Sequence, residues 1–115
     1  MGFGQARLIH DGMIEEGAQL SFQADTDGFL MVTVNGHDDS WTYATVTLSQ
    51  SSPLHPHPIP WPILTWSYSA QQNFRKAVMA NVAVRKCTSC VLDWSDRRKA
   101  SKLGINVLWQ PLSDA

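Results

Sequence analysis

The sequence has few of the residues that mark several large classes of protein. It contains two cysteines in 115 residues, too few for a disulfide scaffold, and this predicts a cytoplasmic location. No apolar run approaches the roughly 18 residues of a membrane-spanning helix, and the first residues, MGFGQARLIHDG, lack the pattern of a secretory signal. We therefore predict an intracellular protein with no membrane partner.

Motifs of the common enzyme classes are also missing. The sequence has no nucleophile elbow, no phosphate-binding glycine loop and no metalloprotease His-Glu helix. His37, Asp38 and Asp39 have the composition of an acid–base pair, but a polar hairpin tip has the same composition. We predict that the protein is not an enzyme and has no required cofactor.

The residues that are present indicate one globular domain over residues 1–115 with mixed secondary structure. Hydrophobic residues make up 43% of the chain, enough for a single core. Segments 18–24, 29–35 and 41–49 are rich in β-formers and separated by turn sequences, so we predict an antiparallel meander over residues 18–49. ILTWSY and INVLW are further candidate strands.

Helices are predicted on either side of this meander. Residues 5–11 form a short helix that stops at Gly12; a second helix begins at Ser69, with Gln72 completing a capping box; and a third, basic helix follows the cap Ser95 and ends at Gly104. The resulting fold class is α+β, an antiparallel sheet packed against two or three short helices.

Residues 50–62, QSSPLHPHPIPWP, hold five of the six prolines. Proline has no backbone N–H to donate to a sheet, so we predict an extended surface loop over the whole segment.

The two cysteines, Cys87 and Cys90, are spaced Cys-x-x-Cys, which is half of a common zinc site. His55 and His57 in the proline-rich loop are the candidates for the other half. Against this, strict His-Pro alternation points both rings outward from an extended chain. Two structural thiols at a turn remain an alternative, and a redox pair is a third, although no helix N-terminus is predicted beside the thiols.

Charge is divided unevenly along the chain. Residues 1–70 hold one base against seven acids, whereas residues 71–115 hold eight bases against three acids. The bases of the second half predict either a surface that binds a polyanion or mutual attraction between the two halves. For a nucleic-acid ligand, the candidate contacts are the basic residues of the two later helices, their serines and one aromatic side chain: Ser67, Ser69, Arg75, Lys76, Trp94, Arg97, Arg98 and Lys99.

Residues 8–22, LIHDGMIEEGAQLSF, resemble the opening of the RAMA domain (restriction enzyme adenine methylase associated) in the order of their apolar residues and glycines. The segment WSYSAQQNF is similar to a Ser-Pro-Ser-Ala turn of that family, with Tyr68 in place of the proline, and Trp94 echoes a later Gly-Trp mark. The resemblance implies a non-catalytic accessory module that reads modified DNA.

Two functional hypotheses follow from these observations. The first is a nucleic-acid-binding or modified-DNA-reading module that uses the basic C-terminal residues. The second is a protein-interaction module, an adaptor or inhibitor of phage or bacterial defence type, that binds a protein partner through exposed tryptophans and the proline-rich loop. A structural zinc is compatible with either hypothesis.

Overall fold

A computed structural model describes residues 2–15, 17–37, 41–69, 78–96 and 102–113 of the chain. These residues form strands joined by short connections. The strands are β1 (Gly2–Phe3), β2 (Arg7–Glu15), β3 (Leu20–Gln23), β4 (Gly28–His37), β5 (Trp41–Ser51), β6 (Ile59–Ser69), β7 (Val78–Val84), β8 (Ser89–Asp96) and β9 (Lys102–Ser113).

The strands form two antiparallel sheets that pack face to face. In the first sheet, β9 pairs with β4 on one side and with β1 and β2 on the other, and β7 pairs with the far side of β4. In the second sheet the order is β3-β8-β5-β6. The protein is therefore a β-sandwich, in which the two inner faces share one core.

Period-2 alternation of apolar residues produces this arrangement, because successive side chains of a strand point to opposite faces. In β4 the even-numbered residues from Leu30 to Val34 are buried, and in β9 the odd-numbered residues from Leu103 to Trp109 are buried. β5 and β8 contribute the facing layer. Its buried residues are Ala44, Val46, Leu48, Cys90, Leu92 and Trp94.

The predicted α+β class is wrong, because the described residues contain strands and no helix. The predicted helix over residues 5–11 is part of β2, where a β-bulge lies between Leu8 and His10. A bulge places an extra residue in one strand and interrupts the alternation, so the adjacent apolar pair Leu8 and Ile9 imitates a helical pattern. No helix of the described residues is long and apolar enough to cross a membrane.

The other two predicted helices are wrong where the structure describes them. Ser69 ends β6 and pairs with Trp41, and Ser95 lies within β8, paired with Thr45, so neither serine is a helix cap. Residues 70–77 and 97–101 lie outside the described residues. Val78 and Lys102, which follow these two segments, each begin a strand.

The three strands of the predicted meander exist, but they are not neighbours. β4 lies in the first sheet, whereas β3 and β5 lie in the second, on opposite sides of β8. The DTDG turn sequence therefore carries the chain from one sheet to the other instead of closing a hairpin. Local turn chemistry is the same in both cases, which is why the sequence pattern did not distinguish them.

The proline-rich segment is shorter as a loop than predicted. β5 continues to Ser51 and β6 begins at Ile59, so that Pro60 and Pro62 lie within a strand. Among the described strands, β6 is an edge strand that pairs with β5 alone, and an edge strand accepts proline when the missing N–H would face solvent.

Candidate functional site

One end of the sandwich is formed by two connections that cross between the sheets, residues 24–27 and 85–88. They are bonded to each other: the Ala24 N–H donates to the Thr88 carbonyl at 2.9 Å, and the Cys87 N–H donates to the Ala24 carbonyl at 2.8 Å. The Lys86 N–H donates to Asp27 Oδ1, also at 2.8 Å. These bonds fix a rigid ridge with a cavity on each side.

The first cavity, which we call the Trp109 cavity, has a volume of about 480 Å³. This volume falls within the ~300–1,000 Å³ typical of small-molecule sites. It lies where the start of β2, the connection 24–27 and the end of β9 meet. Polar and aromatic groups line it, namely Gln5, Arg7, Asp25, Thr26 and Trp109.

Two buried polar atoms border the Trp109 cavity without a partner. Trp109 Nε1 and Thr26 Oγ1 are inaccessible to solvent, and neither has a hydrogen-bond partner among the described residues. A buried polar group without a partner costs about 1–3 kcal/mol, and such groups are uncommon in native proteins. Both residues line the cavity, but the two atoms themselves lie beneath its surface.

Aromatic stacking holds the indole of Trp109 in place. The Phe22 and Trp109 ring centroids are 4.7 Å apart with an interplanar angle of 49°, and the Arg7 guanidinium lies 5.8 Å from the Phe22 ring centroid, within the range of a cation–π contact. Gly28 lies against the indole on another side: a Cβ there would approach two Trp109 ring carbons at 2.7 Å.

The second cavity, which we call the His55 cavity, lies on the other side of the ridge under the proline-rich loop. Its volume is about 390 Å³. Its lining includes Ser52 and His55 from the loop and Arg85, Lys86 and Cys87 from the connection 85–88. The loop is closed at its base by reciprocal backbone hydrogen bonds between Ser52 and His55, both 3.0 Å long.

The predicted zinc site is not formed, because its four residues do not converge. Cys87 is exposed at the turn and shares the His55 cavity, whereas Cys90 is buried in the core. Burial raises the pKa of the Cys90 thiol from 9.0 to about 11, so Cys90 is a poor metal ligand and a poor nucleophile. Among the described residues, no three His, Cys, Asp or Glu side chains are grouped so as to hold a metal ion.

The predicted nucleic-acid contacts are not brought together by the described structure. The Trp94 side chain is buried in the core, where its indole N–H donates to the carbonyls of Ile14 and Glu15 at 3.3 and 3.1 Å. Ser67 and Ser69 are backbone partners of Tyr43 and Trp41 in the edge strand β6. The remaining predicted contacts lie outside the described residues: Arg75, Lys76, Arg97, Arg98 and Lys99.

The described bases of the second half do not form one surface. Arg85 and Lys86 lie at the end of the sandwich that holds both cavities. Lys102 is the cross-strand partner of Glu15 at the start of β9. Nine strand residues, about 30 Å of strand, separate Lys102 from the end of the sandwich that holds the cavities. Lys102, a base of the second half of the chain, therefore lies opposite Glu15, a carboxylate of the first half. The prediction of attraction between the two halves requires such pairs.

No protein-family model and no curated protein matches the chain. Two solved structures share its fold. The first, CBM22-1–GH10 modules of the Clostridium thermocellum xylanase 10B complexed with xylohexaose, has a TM-score of 0.54 and 12% identity; the alignment covers 90% of this chain and 20% of that chain. The second, the CBM22-1 xylan-binding domain of Paenibacillus barcinonensis Xyn10C, has a TM-score of 0.51 and 8% identity, covering 99% and 87% of the two chains.

These likenesses bear on the predicted functions. The prediction of a nucleic-acid partner is wrong: the two solved structures that share the fold are a complex with xylohexaose and a xylan-binding domain, and the predicted contact Trp94 is buried in the core. The prediction of a binding module without catalytic activity agrees with the second neighbour, which is named as a xylan-binding domain. The RAMA resemblance and the cytoplasmic location stay predictions.

The protein-partner alternative also stays a prediction. It depended on exposed tryptophans and the proline-rich loop, and the structure places Leu54, Ile59 and Trp61 there with large exposed surfaces.

Sequence reasoning missed the Trp109 cavity altogether. Trp109 was treated as part of a last strand, and Arg7 and Thr26 were not singled out. The sequence did carry a signal that Trp109 is buried, because Trp109 lies four residues beyond Ile105 on the same face of one strand. That its N–H has no partner was not predictable, because this depends on the connection 24–27, which is distant in sequence.

Proposed function

We propose that the protein is a non-catalytic carbohydrate-binding module that takes a xylan-type polysaccharide at the Trp109 cavity. The observation that carries this proposal is a cavity of about 480 Å³ whose lining combines the polar residues Gln5, Arg7, Asp25 and Thr26. The fold, which it shares with two domains described as xylan-binding or as complexed with xylohexaose, supports the same ligand class.

The lining of the cavity suits the chemistry of a sugar. A sugar hydroxyl both donates and accepts hydrogen bonds, so it accepts from Gln5 or Arg7 while donating to the Asp25 carboxylate. Thr26 is half-buried, and a rotation about its χ1 turns its hydroxyl to the cavity, where it does either. Gln5 and Arg7 add planar groups that meet two neighbouring sugar hydroxyls at once.

The same lining argues for binding without cleavage. Most glycoside hydrolases place two carboxyl groups on either side of the bond that they break. Among the described residues that line the Trp109 cavity, Asp25 is the only carboxylate. A sugar held there meets hydrogen-bond donors and acceptors but no acid–base pair.

Calorimetric titration with xylohexaose tests the proposal. We expect binding by the wild-type chain and about 5- to 10-fold weaker binding by Thr26→Val, because one hydrogen bond of about 1–1.5 kcal/mol is lost. The valine keeps the volume of the threonine side chain and removes an unpartnered hydroxyl. The variant is therefore expected to unfold at the same or a higher urea concentration than wild type.

Thr33→Val is the matched control. Thr33 lies in β4, half-buried, on the outer face of the first sheet and far from the cavity, so its substitution is expected to leave the affinity unchanged. The proposal fails if the wild type gives no heat with xylohexaose. It also fails if both valine variants bind as wild type does, since the cavity would then take no part.

A further inference from the structure

The His55 cavity has a different lining from the Trp109 cavity. Two cations, Arg85 and Lys86, and the imidazole of His55 line it, and none of its described lining residues is acidic. The nearest carboxylate in the connections, that of Asp27, accepts the Lys86 backbone N–H and lines neither cavity. An open cavity of about 390 Å³ with this charge favours an anionic group.

The position of the cavity ties it to the proposed sugar site. The connections 24–27 and 85–88 are hydrogen-bonded side by side; the first lines the Trp109 cavity, and the second lines the His55 cavity. The two cavities therefore lie at the same end of the sandwich and are lined by neighbouring connections.

We propose that the His55 cavity is an anion subsite, which binds an acidic substituent of a polysaccharide whose main chain occupies the Trp109 cavity. This inference rests on the proposed function and specifies its ligand as an acid-substituted polysaccharide. The substituent carries either a carboxylate, as in a uronic acid, or a sulfate ester, since both present oxygens to the guanidinium of Arg85 and the ammonium of Lys86.

The backbone holds this subsite in place before a ligand arrives. The Ser52 hydroxyl accepts the His55 N–H at 3.2 Å, which fixes the loop side of the cavity. On the ridge side, Cys87 is held at φ 69°, a left-handed conformation uncommon for residues other than glycine. Its N–H bond to Ala24 keeps the turn in that shape. Little reordering of the chain is then needed on binding.

The expected effect is modest, because both cations are exposed. Exposed ion pairs are individually weak and are screened by salt. Two of them are expected to give an acid-bearing oligosaccharide on the order of five-fold higher affinity than the neutral one at low salt. This preference is expected to shrink as salt is raised.

The test compares three ligands of equal main-chain length: xylohexaose, the same oligosaccharide with one uronic acid substituent, and the same oligosaccharide with one sulfate. Each is titrated calorimetrically into wild type, the double variant Arg85→Gln/Lys86→Gln and the control Lys102→Gln. The control removes one positive charge at the other end of β9. We expect an acid preference in wild type and in the control, and none in the double variant.

The affinity for neutral xylohexaose separates the possible outcomes. If it is unchanged in the double variant while the acid preference is lost, the subsite is supported, and the acid that is preferred identifies the substituent. Equal affinity of the wild type for all three ligands overturns the subsite and leaves the proposed function standing. A preference that persists in the double variant also overturns it. Binding of none of the three overturns both proposals.

Discussion

Two tryptophans, Trp94 and Trp109, fill the core of this sandwich from its two sheets and near its two ends. Both are almost completely buried, at 2% and 0% exposure. The Trp94 N–H donates to two carbonyls of β2, whereas the Trp109 N–H has no partner among the described residues and borders an open cavity.

The difference separates a buried donor with partners from a buried donor without one. Trp94 ties the end of β2 to the second sheet and satisfies its polar atom within the protein. Trp109 contributes equally to the core, but its polar atom has no partner among the described residues, at a cost in stability to the protein. The two tryptophans are thus equally buried, and only the hydrogen bonds of their N–H groups distinguish them.

The largest expected effect comes from crowding the indole of Trp109. In Gly28→Ala the new Cβ would lie 2.5 Å from the Gln110 carbonyl oxygen and 2.7 Å from two Trp109 ring carbons, and two of these contacts involve a fully buried ring that cannot move aside. We expect the free energy of unfolding to fall by about 3 kcal/mol or more. Urea denaturation measures this.

Gly2→Ala is the matched control, because a Cβ at Gly2 meets nothing within 4 Å. Gly28→Ala with wild-type stability would mean that the indole is loosely packed, contrary to its assignment as a fixed wall of the cavity.

A pair of conservative substitutions compares the two tryptophans directly. Trp94→Phe and Trp109→Phe each remove a similar part of a buried ring, but only Trp94→Phe breaks hydrogen bonds. We expect Trp94→Phe to lower the free energy of unfolding by about 1–2 kcal/mol more than Trp109→Phe. Equal losses in denaturation would show that the Trp109 N–H is satisfied in solution by a strongly held water.

The smallest expected effect on stability at neutral pH concerns the buried thiol of Cys90. The folded state holds the proton of Cys90 up to about pH 11, whereas the unfolded chain releases it near pH 9. The unfolded state then binds fewer protons, so stability falls between these two pH values and is unaffected below them.

We expect the free energy of unfolding of Cys90→Ala, measured from pH 7 to 11, to lack the fall that ionisation of the Cys90 thiol causes. Cys87→Ala is expected to keep this fall. If the three pH profiles have the same slope, the Cys90 thiol is not desolvated in the folded state.

Some of the strand positions were predictable from the sequence, and the fold was not. Alternation identified β3, β4, β5 and β9, because one face of each strand is buried. The assignment of strands to sheets depends on contacts distant in sequence, such as Leu30 beside Trp109, and turn sequences do not encode them. The bulge in β2 hid a strand by placing Leu8 and Ile9 together.

The candidate site was less predictable than the strands. Cys87 and His55 were selected for metal chemistry, and the structure does bring them to one cavity, yet Cys90 faces the core because alternation in β8 turns it inward. Arg7, Thr26 and Trp109 come from three parts of the chain. Their shared cavity exists only once the sandwich has closed.

The prolines of β6 affect whether another chain can pair with that edge strand. Pro60 and Pro62 stand two residues apart in a strand whose outer side is unpaired among the described strands, so both missing donors fall on the same side of the strand. A second chain adding there would find carbonyls but a gap in the row of N–H groups. This gap discourages two copies of the protein from joining through that strand into a continuous sheet.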